Sequence, residues 1–450
     1  MVREKNVLVV GLDEDNRRRL ESIRNAENYC FVQLLDAEDV LYRKDYRVAE
    51  LLERARHNLV QFEAPVDALI HYIDFPVSTM MPLLCREFGL PSASLEAVLK
   101  CEHKYWSRLE QARVVPEHVP AFAQFDPFDA NALDALEAQG VGFPFWVKPV
   151  KSFSSYLGFR VDGQDDWWRA IAQIQDNIGR FSNDFDYFLQ QVGTPPGVGG
   201  GQMCLAEQLI GGRQCTVEAF VHRGRVFPYA VVDSIREANQ SSFARYQYPS
   251  RLPQRIQRRL FSITRKVLQH IGFDNAPCNL EFFWDPVAEK IWLLEINTRI
   301  SESHCNLFEL VDGASHQEVA VDLSLGERPR MPYRCGDFNC AAKFFVRTFE
   351  DAYVTRVPSR GDLLRLHEEV PGARLRVVPQ VGMWLSQLPD QDSYSYVLAI
   401  VWIGARSQKA LLQKYDACLR HLQFGLSKHA PAQPRRNTPG EVRTLRSSLG

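Results

Sequence analysis

The segment from Cys278 to His304, CNLEFFWDPVAEKIWLLEINTRISESH, constrains this chain more than any other. Two apolar runs, Leu280 to Trp284 and Ile291 to Ile296, flank Asp285-Pro286, a turn signal. The simplest folding is an antiparallel hairpin centred near Ala288, which sets Glu281 directly opposite Glu295. Opposed residues point to one face, and Asn297, further along its strand, points there too. Like charges directly opposed destabilise a sheet unless something neutralises them. Two carboxylates and an amide oxygen at one spot suit a hard cation such as Mg²⁺. Arg299 follows on the same face and brings positive charge beside them. The plainer alternative is a surface strand pair whose acids face water.

A chain of 450 residues is too long for one core and implies about three domains. A net charge of −2 gives no basic field for a nucleic-acid backbone. No apolar run approaches the roughly 18 residues of a membrane span. The start, MVREKNVLVVGLDED, reads as a first buried strand, not a signal peptide. The ten cysteines are scattered without a Cys-x-x-Cys pair, which favours reduced core thiols and a cytoplasmic location over disulfides or zinc.

Along the first part of the chain, apolar strands at Asn6 to Val10, Phe31 to Leu35 and Ala68 to Ile73 alternate with helices. That alternation predicts a parallel sheet covered on both faces. Asp74 follows a strand end, where open α/β sheets bind ligands, although a turn or helix-cap role is the simpler reading. Residues 95–112 read as one helix with Lys100, Lys104 and Arg108 on a solvated basic face. Residues 115–128 read as a proline-containing linker, and 192–202, VGTPPGVGGGQ, as a flexible loop.

Lys148 lies inside the strand Phe143 to Val150 and is costly to bury unless it meets an anion, so it suggests a phosphate contact or an edge lysine that snorkels. After it, Lys151 to Gly158 (KSFSSYLG), with Ser154 and Ser155, suits a turn that covers phosphates. Met203 to Leu209 reads as a strand ending in the hinge Ile210-Gly211-Gly212-Arg213, whose backbone suits a flat heterocycle. Glu207 at its centre is a ligand contact or a surface acid. Glu218 sits in an apolar strand, TVEAFV, and needs a partner. Gln254 to Ile271 is a long amphipathic helix with Pro253 before it and Gly272 as its C-cap. From Asp337 onward the chain reads as mostly β, with a closing helix over Ser407 to Leu422 and a Pro/Ser/Arg-rich disordered tail at 427–450.

This order, a small α/β domain, a lysine helix, a lysine strand with its loop, a hinge strand and an acidic hairpin, resembles the ATP-grasp superfamily over about residues 5–425. The strongest match is Glu281 with Leu-Glu-Ile-Asn-Thr-Arg at 294–299, which is similar to the metal-binding core of biotin carboxylases and carboxylate–amine ligases. The resemblance implies an α/β (α+β) chain in four parts. These are a Rossmann-like pre-ATP-grasp domain (1–98), an ATP-grasp domain (99–330), a β-rich domain like that of biotin carboxylases (331–426) and the tail (427–450). It implies ATP, with one or two Mg²⁺ ions on Glu281, Glu295 and Asn297, Mn²⁺ being acceptable in their place. Lys104, Lys148, Ser154 and Ser155 would meet phosphates, and Glu207, Gln208 and Ile210 the adenine. Gln214 falls near the ribose position, and Glu218 is grouped with the nucleotide contacts. Arg299 would face the activated carboxylate, and Ser301, Glu302 and His304 the acceptor or acid, with Glu302 or His304 as general base. Loop 151–158 would be the lid.

The loop KSFSSYLG lacks the glycine run of biotin carboxylases, and there is no Ala-Met-Lys-Met biotin site. The resemblance therefore favours a ligase joining a small carboxylate to an amine, an amino acid in particular. A bicarbonate-activating carboxylase component and a non-catalytic ATP-binding protein are the alternatives. Family members are often dimers, which makes a homodimer an expectation.

Overall fold

The computed structural model describes residues 4–41, 46–152, 156–238, 241–389, 391 and 394–430. The N-terminal part is a parallel sheet in the order Tyr29–Asp36, Lys5–Leu12, Ala68–Ile70, as the β/α alternation predicts. Lys5–Leu12 and Ala68–Ile70 are buried on both faces, with helices such as Val48–Gln61 and Val77–Glu87 supplying the cover.

The helix expected over 95–112 is two helices, Leu95–Glu102 and Lys104–Val114. His103 divides them: its backbone is extended and its Nδ1 accepts the Trp106 N–H as an N-cap, while Nε2 donates to the Gly199 carbonyl. Burial holds that imidazole neutral, with its pKa lowered to about 4. The break separates the three expected basic-face residues. Lys100 pairs with Glu96, Lys104 donates to the Ser152 carbonyl and Arg108 turns into the interior.

Residues expected to be a linker contribute the strand Phe122–Phe125, so a four-stranded antiparallel sheet runs Phe122–Phe125, Cys204–Gln208, Phe145–Pro149, Phe159–Val161. Helices Ala132–Ala138 and Gln164–Asn177 cover one face of it through Leu136, Trp167, Ile171 and Ile174. The glycine-rich connection at 192–202 is packed, contrary to the flexible loop expected: Gly199 N–H donates to Gln124 and Gly201 N–H to Asp186. A Cβ on Gly201 would come 2.6 Å from the Ser182 carbonyl oxygen, so glycine there permits close approach.

The acidic hairpin is the edge of an eight-stranded sheet. Its order is Lys290–Asn297, Ala276–Asp285, Arg213–His222, Arg225–Arg236, Phe243–Tyr248, Cys340–Thr348, Tyr396–Ala405, Arg374–Val377. Three strands from the C-terminal part thus extend the hairpin's own sheet. Alternation divides its two faces. Cys278, Leu280 and Phe282 pack on the amphipathic helix Gln254–Ile271, and Ala342, Phe344 and Val401 on helices Arg360–Glu369 and Gln408–His421. The opposite face carries the polar residues described next. Gly425–Ser427 pairs with Tyr353–Arg356, so the start of the expected tail is a strand, and residues 431–450 lie outside the described residues. Among the described residues no helix is long and apolar enough to cross a membrane.

Candidate active site

Glu281 is opposed to Glu295, and Asn279 to Asn297. The register depends on a bulge. Phe282 pairs with Leu293, so Leu294 is an extra residue that brings Glu295, not Leu294, opposite Glu281. Burial and the facing Glu295 push the Glu281 carboxyl up to about 7. Its one side-chain donor among the described residues is the Gln214 amide at 2.8 Å, and Arg236 donates to the other end of that amide at 2.6 Å. Gln214, expected near a ribose, is thereby placed between Arg236 and Glu281. Asn297 donates to Asn279 Oδ1 at 2.9 Å, which leaves its own Oδ1 as an acceptor beside the two carboxylates. Among the described residues no group of three or more His, Cys, Asp or Glu side chains has metal-site geometry. Two carboxylates and one amide oxygen, under mutual repulsion and with few donors, fit a hard divalent cation that keeps waters and phosphate oxygens as its other ligands.

Lys148 and Lys104 supply the positive charge. Lys148 Nζ donates to Glu207 Oε1 at 2.6 Å, and Arg108 donates to Oε2 through two nitrogens at 2.8 and 2.9 Å. Burial alone would raise the Glu207 carboxyl, but Arg108 and Lys148 outweigh it and hold it down at about 2. Glu207 therefore serves two buried cations, which satisfies the lone pairs expected to meet adenine. Gln208 ends the strand exposed, and Ile210 lies just past it. Burial lowers Lys104 to about 8; Glu295 pulls it up, whereas Lys151 and Lys148 push it further down. Lys104 thus lies among Glu295, Lys148 and Lys151. Ser154 and Ser155 lie outside the described residues.

A second network ties these residues to the N-terminal sheet. Lys151 Nζ donates to Glu102 at 2.6 Å and to Asp74 at 3.2 Å, and Thr298 donates to the other Glu102 oxygen at 2.6 Å. Arg299 reaches the second Asp74 oxygen at 3.0 Å. Burial opposes ionisation of Asp74, yet Lys151 and Arg299 prevail and hold its carboxyl far below the usual range. The first residue of the expected lid loop and the arginine after the hairpin therefore share one carboxylate.

Past Arg299, Glu302 pairs with Arg19 at 2.6 Å. His304 is buried and its Nδ1 lies 2.7 Å from Glu218 Oε1. Burial would raise Glu218, but His304 and His316 outweigh it and lower its pKa. Glu218, grouped by sequence with the nucleotide contacts, is instead sealed beneath His304, and its Oε2 has no hydrogen-bond partner among the described residues. His316 Nε2 donates to the Ser301 carbonyl at 2.8 Å, so its Nδ1 accepts from Tyr229 at 2.9 Å. His304 Nδ1 carries its proton toward Glu218, leaving Nε2 as the acceptor atom, which makes no hydrogen bond among the described residues.

Sequence reasoning missed Arg108, Glu102 and Arg236 as members of this site, and placed Asp74 at a ligand-binding strand end and Lys151 in the phosphate-covering turn without pairing them. The local signals were the strand-end position of Asp74 and Lys151 at the start of the turn after Lys148. The charged partners of Arg108, Lys151, Asp74 and Glu102 come from distant segments.

Residues 141–307 match the ATP-grasp domain family. No curated protein sequence matches the chain. Among solved structures, the L-amino acid ligase from Bacillus licheniformis is similar with a TM-score of 0.67 at 14% identity, over 94% of this chain and 99% of that one. A biotin carboxylase complex from Campylobacter jejuni gives 0.60 at 15% identity, over 94% and 92% of the two chains. A carboxyaminoimidazole ribonucleotide synthase from Aspergillus clavatus, complexed with ATP, gives 0.64 at 16% identity, over 94% and 99%. The chain carries an ATP-grasp domain and has the ATP-grasp fold.

Proposed function

We propose that this ATP-grasp chain is a ligase that activates a carboxylate as an acyl phosphate, releasing ADP, and couples it to an amine, in particular an amino acid. The observation that carries the reading is that Glu281, Glu295 and Asn297 share one sheet face, with Lys104 close to Glu295 and Lys148 and with Arg299 close to Glu281. Glu281, Glu295 and Asn297 would hold Mg²⁺, which would supply positive charge to offset the charge of the transferring phosphoryl group.

Lys104 and Lys148 offset phosphate charge, and Lys148 is held in place for that by Glu207. A substrate carboxylate oxygen attacks the γ-phosphorus, and the bond to the β-bridging oxygen breaks as ADP leaves. Arg299, oriented by Asp74, stabilises the acyl phosphate and the oxyanion formed next. The amine nitrogen then bonds to the acyl carbon, the carbon–oxygen bond to phosphate breaks with its electron pair, and the surplus amine proton passes to His304 Nε2. Glu218 fixes the tautomer that leaves this nitrogen basic. Glu302 is the weaker candidate base, because its carboxylate is paired with Arg19.

The test is turnover of ATP and Mg²⁺ with pools of carboxylic acids and hydroxylamine as a general amine. Hydroxamate together with ADP is the expected result. ADP release that needs bicarbonate and free biotin would move the reading to carboxylase chemistry, and no ADP from any pool would overturn it.

A further inference from the structure

The polar face that carries Glu281 and Glu218 continues across the sheet into its C-terminal strands. Through successive cross-strand pairs, Gln214, Ser234, Tyr246, Lys343, Trp402 and Arg374 form one row. Lys343 is 9% exposed, a rare position for a lysine without an anion. Its ammonium donates to Ser303 Oγ at 2.9 Å and lies 5.1 Å from the Phe345 ring centroid and 5.7 Å from that of Trp402. It has no carboxylate partner among the described residues. The nearby acids are already committed, Glu302 to Arg19 and Glu309 to Arg374. Arg376 faces the same side, since it pairs with Ile400, which pairs with Phe345, and it too makes no ion pair among the described residues. Burial lowers Lys343 to about 8, Glu302 raises it, and Arg376 and Arg19 lower it further.

Lys343 thus lies against aromatic rings without a counter-ion among the described residues, with the exposed Arg376 near it. They adjoin the reacting centre: Tyr246, the cross-strand partner of Lys343, packs edge-on against His304 at 5.1 Å. Ser303, the hydroxyl on Lys343, is in the loop that runs from Arg299 to His304. Resting on the ligase reading above, we propose that Lys343, with Arg376 beside it, binds a non-reacting carboxylate of a substrate, held between Phe345 and Trp402 near Ser303. That carboxylate belongs either to an amino-acid acceptor or to the far end of a dicarboxylic donor. An ammonium held by one hydroxyl has unfilled donors, and a charge-assisted hydrogen bond to carboxylate would fill them.

The test compares wild type with Lys343→Met and Lys343→Arg in two arms, reading ADP release and product. One arm supplies amino acids against their carboxamides as acceptors. The other supplies dicarboxylic against monocarboxylic acids with hydroxylamine as acceptor. Wild type is expected to prefer the extra carboxylate in one arm by about 10- to 100-fold in kcat/KM, in line with a hydrogen bond to a charged group. Lys343→Met brings that ratio close to one, and Lys343→Arg restores part of it. Collapse in the first arm assigns the carboxylate to the amine, and collapse in the second assigns it to the acid. Removing an uncompensated buried charge is not expected to unfold the chain, and if Lys343→Met fails to fold, the ratio for Lys343→Arg decides. Ratios unchanged in both arms overturn the anchor while the ligase reading stands. A wild-type enzyme that forms neither hydroxamate nor ADP overturns both.

Discussion

Glu295→Gln abolishes ADP formation and leaves the protein folded. Glu281 and Glu295 are opposed within one sheet, and the neutral amide would give the cation a weaker ligand. Metal stabilisation of transferring phosphoryl charge is worth several kcal/mol, so the expected loss in turnover is about a thousandfold or more. Stability moves the other way. In the metal-free protein Glu281 titrates at about 7 against an ordinary 4.5, because of burial and then Glu295. A carboxyl whose pKa is raised by folding binds its proton more tightly in the folded state, so stability declines as pH rises from 4.5 to about 7. Glu295→Gln removes the opposing charge and flattens that decline. Thermal melts across this pH range, together with an ADP-release assay, check both halves. Near-normal turnover in the variant would sink the metal assignment.

Glu207→Gln is expected to give the largest loss of stability. Glu207 receives Lys148 and Arg108 at a site where its side chain is 3% exposed and that of Arg108 is 2% exposed. The amide leaves both cations without a counter-charge. Removing one member of a buried ion pair costs about 3–5 kcal/mol, far more than the pair contributes relative to apolar packing. The effect depends on pH with a definite sign. Glu207 is held at about 2 against an ordinary 4.5, so its contribution is complete above pH 4.5 and disappears as pH falls toward 2. The gap between wild type and Glu207→Gln, measured by denaturant unfolding, is therefore full at neutral pH and closes in acid. Equal stability at pH 7 would show that Glu207 is not what offsets the two cations.

The contrast between these two acids marks what was legible in the sequence. Glu281 and Glu295 belong to one local hairpin, so counting from the turn placed them face to face. That count succeeded through a compensation: it is centred on Ala288, whereas the half nearer the turn, Phe282 with Leu293 to Asp285 with Lys290, is shifted by the Leu294 bulge. Long amphipathic elements were also legible, and the helix Gln254–Ile271 has the predicted limits because Pro253 and Gly272 punctuate it. Glu207 was visible as an acid in a strand, but its partners, Arg108 and Lys148, come from separate segments with no common spacing. The same holds for Asp74, which meets Lys151 and Arg299 only after three parts of the chain have packed. Sheet membership was hidden for a related reason. Cys340–Thr348 reads as the start of a new domain, yet its backbone partner is Phe243–Tyr248, a strand that sequence reasoning did not find.

The central claim is that a substrate carboxylate attacks the γ-phosphate of ATP. The most direct measurement uses a turnover-competent acid labelled with ¹⁸O in its carboxylate and follows the released phosphate by mass spectrometry. The account predicts ADP and phosphate carrying one ¹⁸O atom per turnover, because the oxygen that attacked phosphorus leaves with it. Unlabelled phosphate, or AMP with pyrophosphate in place of ADP, would contradict it.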